Sequence, residues 1–424
     1  MLKFLHRFAN RVIRKFIFSY TPYCSTSSLR RYIAKKTALW KHLSALEDKV
    51  RQKQRITVAF TVYDLPCWRC DSVMQRMLRD SRFRPFIWIL PQFKDSDEQR
   101  RNLEIMLAYF SVRRYPVAVY GTLEEIRKKY APDVCILSKL PSAPVRAMDM
   151  DQELTCYLPY CYQNTQKLDF INIQSCYVWR NFYATPGIKR VASSVMANGG
   201  CNVVVVGSPV ADNYFADEED DASLVWRSCG EGMKRIIWAP HWSVNSESWF
   251  NVATFLDVAE GMIQLAEKYA DKVQWAFKPH PLLRSTLYKL PDWGKERTDA
   301  YYARWANMPN CQLETGAYVE LFKQSDAMVH DSGSFIMEYL LVNKPCMYLR
   351  KQGGFNDFND DTLKALDCYR KGSTVRDVEK FIQDLLNEVD DSFKEKRSRF
   401  RDEYLIPPGG SCAQLIIDEI LKGK

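Results

Sequence analysis

Between Asp326 and Leu349 the sequence reads DAMVH-DSGS-FIMEYLLVNKP-CMYL: an apolar run, a polar turn, a helical stretch, a short loop and a second apolar run. This order constrains the fold more than any other feature. A strand–helix–strand crossover makes parallel neighbours, and a parallel sheet has to be covered on both faces. Ala327 to His330 predicts a short buried strand. Asp331-Ser332-Gly333-Ser334 then predicts the opening of a helix. That puts two hydroxyls, a glycine and the free N–H groups of a first helical turn at a strand's carboxyl end, a place suited to phosphate. A plain strand-to-helix turn with a serine cap would use the same residues.

Two further stretches end in the same way. Val273 to Pro281 (VQWAFKPHP) is an apolar strand running into Lys278-Pro279-His280-Pro281. Arg235 to Ser243 (RIIWAPHWS) ends in Pro240-His241-Trp242-Ser243. The chain has five histidines. Three of them, His241, His280 and His330, fall at the ends of predicted strands in one half. In an open parallel sheet the carboxyl ends of the strands form the ligand crevice, so the three turns read as one candidate site.

The rest of the chain alternates in the same manner. Strands are expected at 56–63, 85–90, 117–120, 134–137, 156–158, 170–172 and 203–206, with helices at 71–80, 96–110, 123–130 and 177–183. A loop is expected at 140–150. Residues 212–232 (beginning Asp212 and containing ADEEDDASLV) read as an acidic linker, or simply as a solvated loop. Alternation then restarts, with strands at 236–239 and 273–277, a helix at 252–269, a short strand near 309–313 and a helix at 318–324. Residues 363–424 read as helices, and Ser411 is placed as the N-cap of the last one.

Taken together, these motifs resemble the CDP-glycerol glycerophosphotransferase family, which builds teichoic-acid-type polyol phosphate chains. The resemblance rests on strand–KPHP, on strand–HDSGS–helix followed by Glu338 and Asn343-Lys344-Pro345, and on Gly207-Ser208-Pro209-Val210-Ala211-Asp212. It covers roughly residues 155 to 424. It implies an α/β, GT-B-like fold: two Rossmann-like halves facing one cleft, here preceded by a basic amphipathic N-terminal helical region. The expected division is residues 1–54 for membrane association, 55–211 as the acceptor-side domain, 212–232 as linker and 233–424 as the donor-nucleotide domain.

The chemistry that the resemblance implies is attack of an acceptor hydroxyl on the distal phosphorus of CDP-glycerol, with CMP leaving. Charge grows on the bridging oxygen, so fixed cations and N–H donors are needed there. Lys278, Asp331, Ser332, Gly333 and Ser334 are the candidate donor-phosphate residues, and Glu338 is the candidate for the ribose hydroxyls. His280 and His241 are the candidate catalytic residues, since imidazole titrates near neutrality. His330 reads as buried behind the turn. The Trp-His-Gly-Thr segment of many family members is missing. Tyr160, in Leu158-Pro159-Tyr160-Cys161-Tyr162, stands nearest to it, and Tyr160 and Ser208 are the candidate acceptor-side residues. His241 is a candidate for the missing histidine's role. No carboxylate cluster has metal spacing, so no cofactor or metal is required, although Mg²⁺ accompanying the pyrophosphate is compatible with the reading.

Charge adds a partner. Residues 1–55 carry a net +12, against +9 for the whole chain, so the remainder is slightly acidic. Residues 2–18 place Leu2, Leu5, Phe8, Val12, Ile13 and Phe16 at helical spacing, with Lys3, Arg7, Arg11, Arg14 and Lys15 on the other side. This is the pattern of a helix lying in an anionic membrane interface, though a mitochondrial presequence or a partner-binding helix shares the composition. It is too interrupted by charge to span a bilayer. A second basic helical piece, Ser28 to Arg55, would add attraction to anionic lipid. No nucleic-acid module is recognisable. The expected location is therefore peripheral, on the cytoplasmic face of the cell membrane, with a lipid-linked or polymeric acceptor. Thirteen scattered cysteines suit a reducing compartment, and Cys67-Trp68-Arg69-Cys70 has no second pair. A GT-B glycosyltransferase using a nucleotide sugar and a non-catalytic membrane scaffold are the alternatives.

Overall fold

The computed structural model describes residues 26–89, 97–119, 123–140, 152–166, 173–215, 225–228, 230, 232–244, 250–316 and 318–422. The chain divides into two compact units, one made of Met1–Asp212 with Pro407–Lys424 and the other of Asn213–Ile406.

The first unit is built on seven parallel strands: β1 (Ile56–Val62), β2 (Phe83–Ile89), β3 (Val117–Val119), β4 (Val134–Leu137), β5 (Leu154–Tyr157), β6 (Arg180–Tyr183) and β7 (Val203–Val205). Their order is β3-β2-β1-β4-β5-β6-β7. β1, apolar except for Thr57 and Thr61, is buried along its whole length, as a strand covered on both faces should be. The direction of winding reverses at the β1/β4 pair, where Thr61 lies opposite Leu137.

The second unit carries β8 (Lys234–Ala239), β9 (Val273–Phe277), β10 (Cys311–Leu313), β11 (Ala327–His330), β12 (Cys346–Leu349) and β13 (Arg370–Gly372). The order is β10-β9-β8-β11-β12-β13, again parallel throughout, with the reversal at β8/β11. Trp238 anchors its centre, with ring centroids 5.0 Å from Phe277, 5.3 Å from Trp305 and 5.7 Å from Phe255. Such ring packing fixes the ends of β8 and β9, from which His241 and His280 project.

Several expectations differ from the structure. Residues 177–183, expected as a helix, contain β6, because YVWRNFY is aromatic and β-favouring and fills the slot between β5 and β7. β13 lies inside the stretch read as helical. Its sequence, Arg-Lys-Gly, has no apolar run, and pairing with β12 makes it a strand. Helices at Leu283–Leu287 and Gly294–Asn307 fill a region left unassigned. Asp212, expected to open a linker, belongs to the helix Pro209–Phe215. The C-terminal helix Cys412–Leu421 belongs to the first unit rather than ending the second. The basic piece Ser28–Arg55 is a helix over Thr26–Gln52 that buries Tyr32, Leu39, Leu43 and Val50 in the first unit's core. The helix expected over 2–18 and the strand at 170–172 lie outside the described residues. Among the described residues no helix is long and apolar enough to cross a membrane.

Candidate functional site

The second sheet reverses at β8/β11, and three of the chosen turns meet there. Asp331, just past β11, is buried, and its two carboxylate oxygens face three donors. Oδ1 accepts the His241 N–H at 2.6 Å, and Oδ2 accepts the Thr254 N–H at 2.5 Å and the Thr254 hydroxyl at 2.8 Å. Burial raises its carboxyl to about 6 in spite of these donors. With its oxygens so occupied, Asp331 ties the turn after β11 to His241 and Thr254. It also sits at the N-terminus of the helix Phe255–Lys268, where a carboxylate is favourable. Thr254 was not singled out in the sequence. It lies 77 residues from Asp331, and only its position just before a long helix could have flagged it.

His241 and His280 are neighbours, with ring centroids 5.0 Å apart. His241 Nδ1 faces the Ser243 hydroxyl at 2.8 Å and accepts the Ser243 N–H at 3.3 Å. Ser243 Oγ in turn accepts the Val252 N–H, so its proton points to the imidazole. His280 Nδ1 accepts the Leu282 N–H at 3.1 Å. Both rings therefore have the Nδ1 lone pair taken and carry their proton on Nε2. Burial, then the Lys278 charge, lowers His280 to about 4. Burial, then His280, also lowers His241 well below its ordinary value. At neutral pH the pair presents two uncharged N–H donors. His241 is thereby uncharged, with its Nδ1 engaged by Ser243.

Lys278 starts a second group. Its ammonium donates to the Gly316 carbonyl at 2.9 Å and lies 5.3 Å from the centre of the Tyr318 ring. The Tyr318 hydroxyl donates to the buried Glu338 carboxylate. Lys278, Tyr318 and Glu338 thus form a chain at the same edge of the sheet, and Tyr318 is an addition to the sequence reading. Ser332 is buried and Ser334 half-buried. The α-helix after them is shorter than expected, Phe335–Glu338 running on as a 3₁₀ turn over Tyr339–Val342. Its dipole is correspondingly small, so the turn's polarity comes chiefly from the serine hydroxyls and its N–H groups.

His330 is fully buried. Its Nδ1 pairs with the Ser332 carbonyl at 3.1 Å, and its Nε2 has no partner among the described residues. It supports the turn from behind.

The first unit's candidates separate. Tyr160 follows β5, with the Lys139 ammonium 5.5 Å from its ring centre. Ser208 stands after β7, the outermost strand. In Gly207-Ser208-Pro209-Val210-Ala211-Asp212 the invested chemistry is structural. Gly207 has φ +83°, and a Cβ there would lie 3.0 Å from Pro407. Asp212 accepts the N–H groups of Cys412 at 2.7 Å and Ala413 at 2.9 Å, capping the C-terminal helix. Cys67 and Cys70 are buried free thiols. Among the described residues no group of His, Cys, Asp and Glu is placed to hold a metal.

Comparison with known proteins supplies the context. Residues 147–422 match the family described as CDP-glycerol:poly(glycerophosphate) glycerophosphotransferase. No curated protein sequence matches. Among solved structures, wall teichoic acid polymerase TagF, as a variant soaked with CDPG, is similar at TM-score 0.57 and 13% identity, over 93% of this chain and 97% of the other. UDP-GlcNAc 2-epimerase from Neisseria meningitidis, bound to UDP-GlcNAc, is similar at TM-score 0.57 and 14% identity, over 87% of this chain and 100% of the other. MnaA from S. aureus, with UDP, gives TM-score 0.55 and 15% identity over 87% and 96%. At these identities the likeness is one of fold, and the fold is GT-B-like.

Proposed function

The chain belongs to the CDP-glycerol:poly(glycerophosphate) glycerophosphotransferase family, and from that membership we propose that its second unit binds the donor's pyrophosphate at the β8/β11 reversal while an acceptor hydroxyl displaces CMP. The observation that carries this reading is the His241–His280 pair, two neutral N–H donors at adjacent strand ends beside the Asp331–Ser334 turn. Uncharged donors aimed at an oxyanion stabilise developing charge without proton transfer, and in a water-poor site one such donor is worth about 10²–10³ in rate. Lys278 supplies the fixed positive charge, Ser332, Gly333 and Ser334 supply further donors, and Glu338 meets the ribose hydroxyls.

The acceptor is a polymeric or lipid-linked polyol phosphate, and the enzyme works at a membrane surface on the cytoplasmic side. Supporting the membrane reading are the composition of residues 2–18 and the exposed Arg30, Arg31, Lys35, Lys36 and Lys41 on the helix Thr26–Gln52. Pelleting with anionic vesicles, with and without residues 1–20, tests that part. An unchanged bound fraction after truncation would count against it.

Calorimetry tests the donor. CDP-glycerol is expected to bind in preference to UDP-glucose and GDP-mannose, and less tightly to His280→Ala. Preference for a sugar nucleotide would replace the reaction while keeping the site.

A further inference from the structure

The helix Asp97–Val112 joins β2 to β3, the strand at one end of the first sheet. Its inner side covers the sheet: Met106 and Phe110 are buried, and Leu103 and Leu107 pack against the first unit's core. At about 100° per residue these four define one side of the helical cylinder. On the same wheel Arg101, Ile105, Ala108 and Val112 fall within an arc of about 60° on the opposite side. All four are exposed, Ile105 at 48% and Val112 at 81%.

A helix on the surface of a globular unit ordinarily turns polar residues outward, and single exposed apolar side chains need no explanation. Here the outermost arc itself is apolar. Arg100 and Arg101 stand before it, and Arg113 and Arg114 directly after it, so residues 100–114 carry four arginines and one acid, Glu104. Glu104 lies on the flank, about 70° from the middle of the arc. Arg113 is held in place: its guanidinium lies 3.6 Å from the centre of the Tyr109 ring and 3.5 Å from an Asp71 carboxylate oxygen, while its side chain keeps 38% exposure.

An apolar strip with guanidinium groups at both ends matches one kind of surface. Arginine lays its methylenes along hydrocarbon and keeps its charge at the level of phosphate. That is how a helix rests in the headgroup layer of an anionic bilayer. A second copy of this chain fits worse, because a two-fold contact through this face would set the same four arginines against each other.

We propose that the outward face of the helix Asp97–Val112 is a membrane-docking surface of the first unit. Ile105, Ala108 and Val112 enter the acyl boundary of an anionic leaflet, and Arg101 and Arg114 meet lipid phosphates beside them. This rests on the reading of the enzyme as one that works at a membrane surface, and it adds a contact made by the folded unit to that of residues 2–18. A contact through residues 2–18 alone leaves the unit free to turn. A second contact on its own helix sets its orientation toward the bilayer and strengthens the first by acting in the same molecule.

The test uses the full-length chain, sedimented with vesicles of phosphatidylcholine alone or of equal parts phosphatidylcholine and phosphatidylglycerol. Ile105→Ser with Val112→Ser is expected to lower partitioning onto the anionic vesicles about tenfold. Arg101→Gln with Arg114→Gln is expected to lower it about tenfold or more at low salt, the difference vanishing at high salt where the charges are screened. Both double variants should keep the wild-type thermal midpoint and CDP-glycerol affinity, since all four side chains are exposed. Wild-type partitioning in both would overturn the proposal and leave the membrane reading to residues 1–20. A wild type that binds neither kind of vesicle would overturn the membrane reading itself, and this face with it. Unchanged partitioning of Ile105→Ser with Val112→Ser, together with a smaller species in analytical ultracentrifugation, would also overturn the proposal and make the face a contact between copies of the chain.

Discussion

The imidazoles of His241 and His280 lie with ring centroids 5.0 Å apart, and each has its Nδ1 turned to a backbone N–H. The backbone thus fixes which nitrogen holds the proton. In nitrogen-resolved NMR at pH 7, both rings should appear as neutral Nε2–H tautomers. His280 should titrate near pH 4 and His241 below its ordinary range. A midpoint near the ordinary 6.5 for His280 would contradict the assignment.

A donor role and a proton-transfer role respond differently to glutamine, which keeps an N–H but cannot shuttle a proton. His280→Ala is expected to lower CMP release about 10²–10³-fold. His280→Gln should lose markedly less. Equal losses in the two variants would favour acid–base catalysis.

Asp331 makes a pH prediction with a definite sign. Its carboxyl is raised from 3.8 to about 6 by burial. The protonated form is therefore relatively favoured in the fold. Its stabilising contribution is complete below 3.8 and is lost as the pH rises through 6. In urea titrations, the stability of wild type minus that of Asp331→Asn should fall as the pH rises from 4.5 to 7. A rise would show that the three donors outweigh burial.

Asp212 is predicted to matter for stability rather than chemistry. Asp212→Ala removes the acceptor that caps Cys412 and Ala413, at a cost of about 0.5–2 kcal/mol. Thermal denaturation should shift downward while CDP-glycerol binding stays as in wild type. A loss of donor affinity at unchanged stability would place Asp212 in the chemistry.

Much of this architecture was legible because buried parallel strands are apolar runs. ITVAFTV and VQWAF could be little else, and the turns after β8, β9 and β11 stand out by their histidines and serines. β13 was illegible because Arg-Lys-Gly becomes a strand only by pairing with β12. The helix at Thr26–Gln52 was read for its charge, yet its spacing of Tyr32, Leu39, Leu43 and Val50 already marked a buried face. The roles of the site residues were the least visible. Whether His241 is a base depends on where Ser243 and Val252 point, and Asp331's duty depends on a threonine 77 residues away.

The return of Pro407–Lys424 to the first unit has a consequence for biosynthesis. Cys412, Ala413, Ile416, Ile417 and Ile420 are part of that unit's core, yet they leave the ribosome after all of residues 213–406. The first unit's core is therefore completed only by a helix made some two hundred residues after the segment it caps against, so the first sheet reaches its full packing after its own strands have all been synthesised.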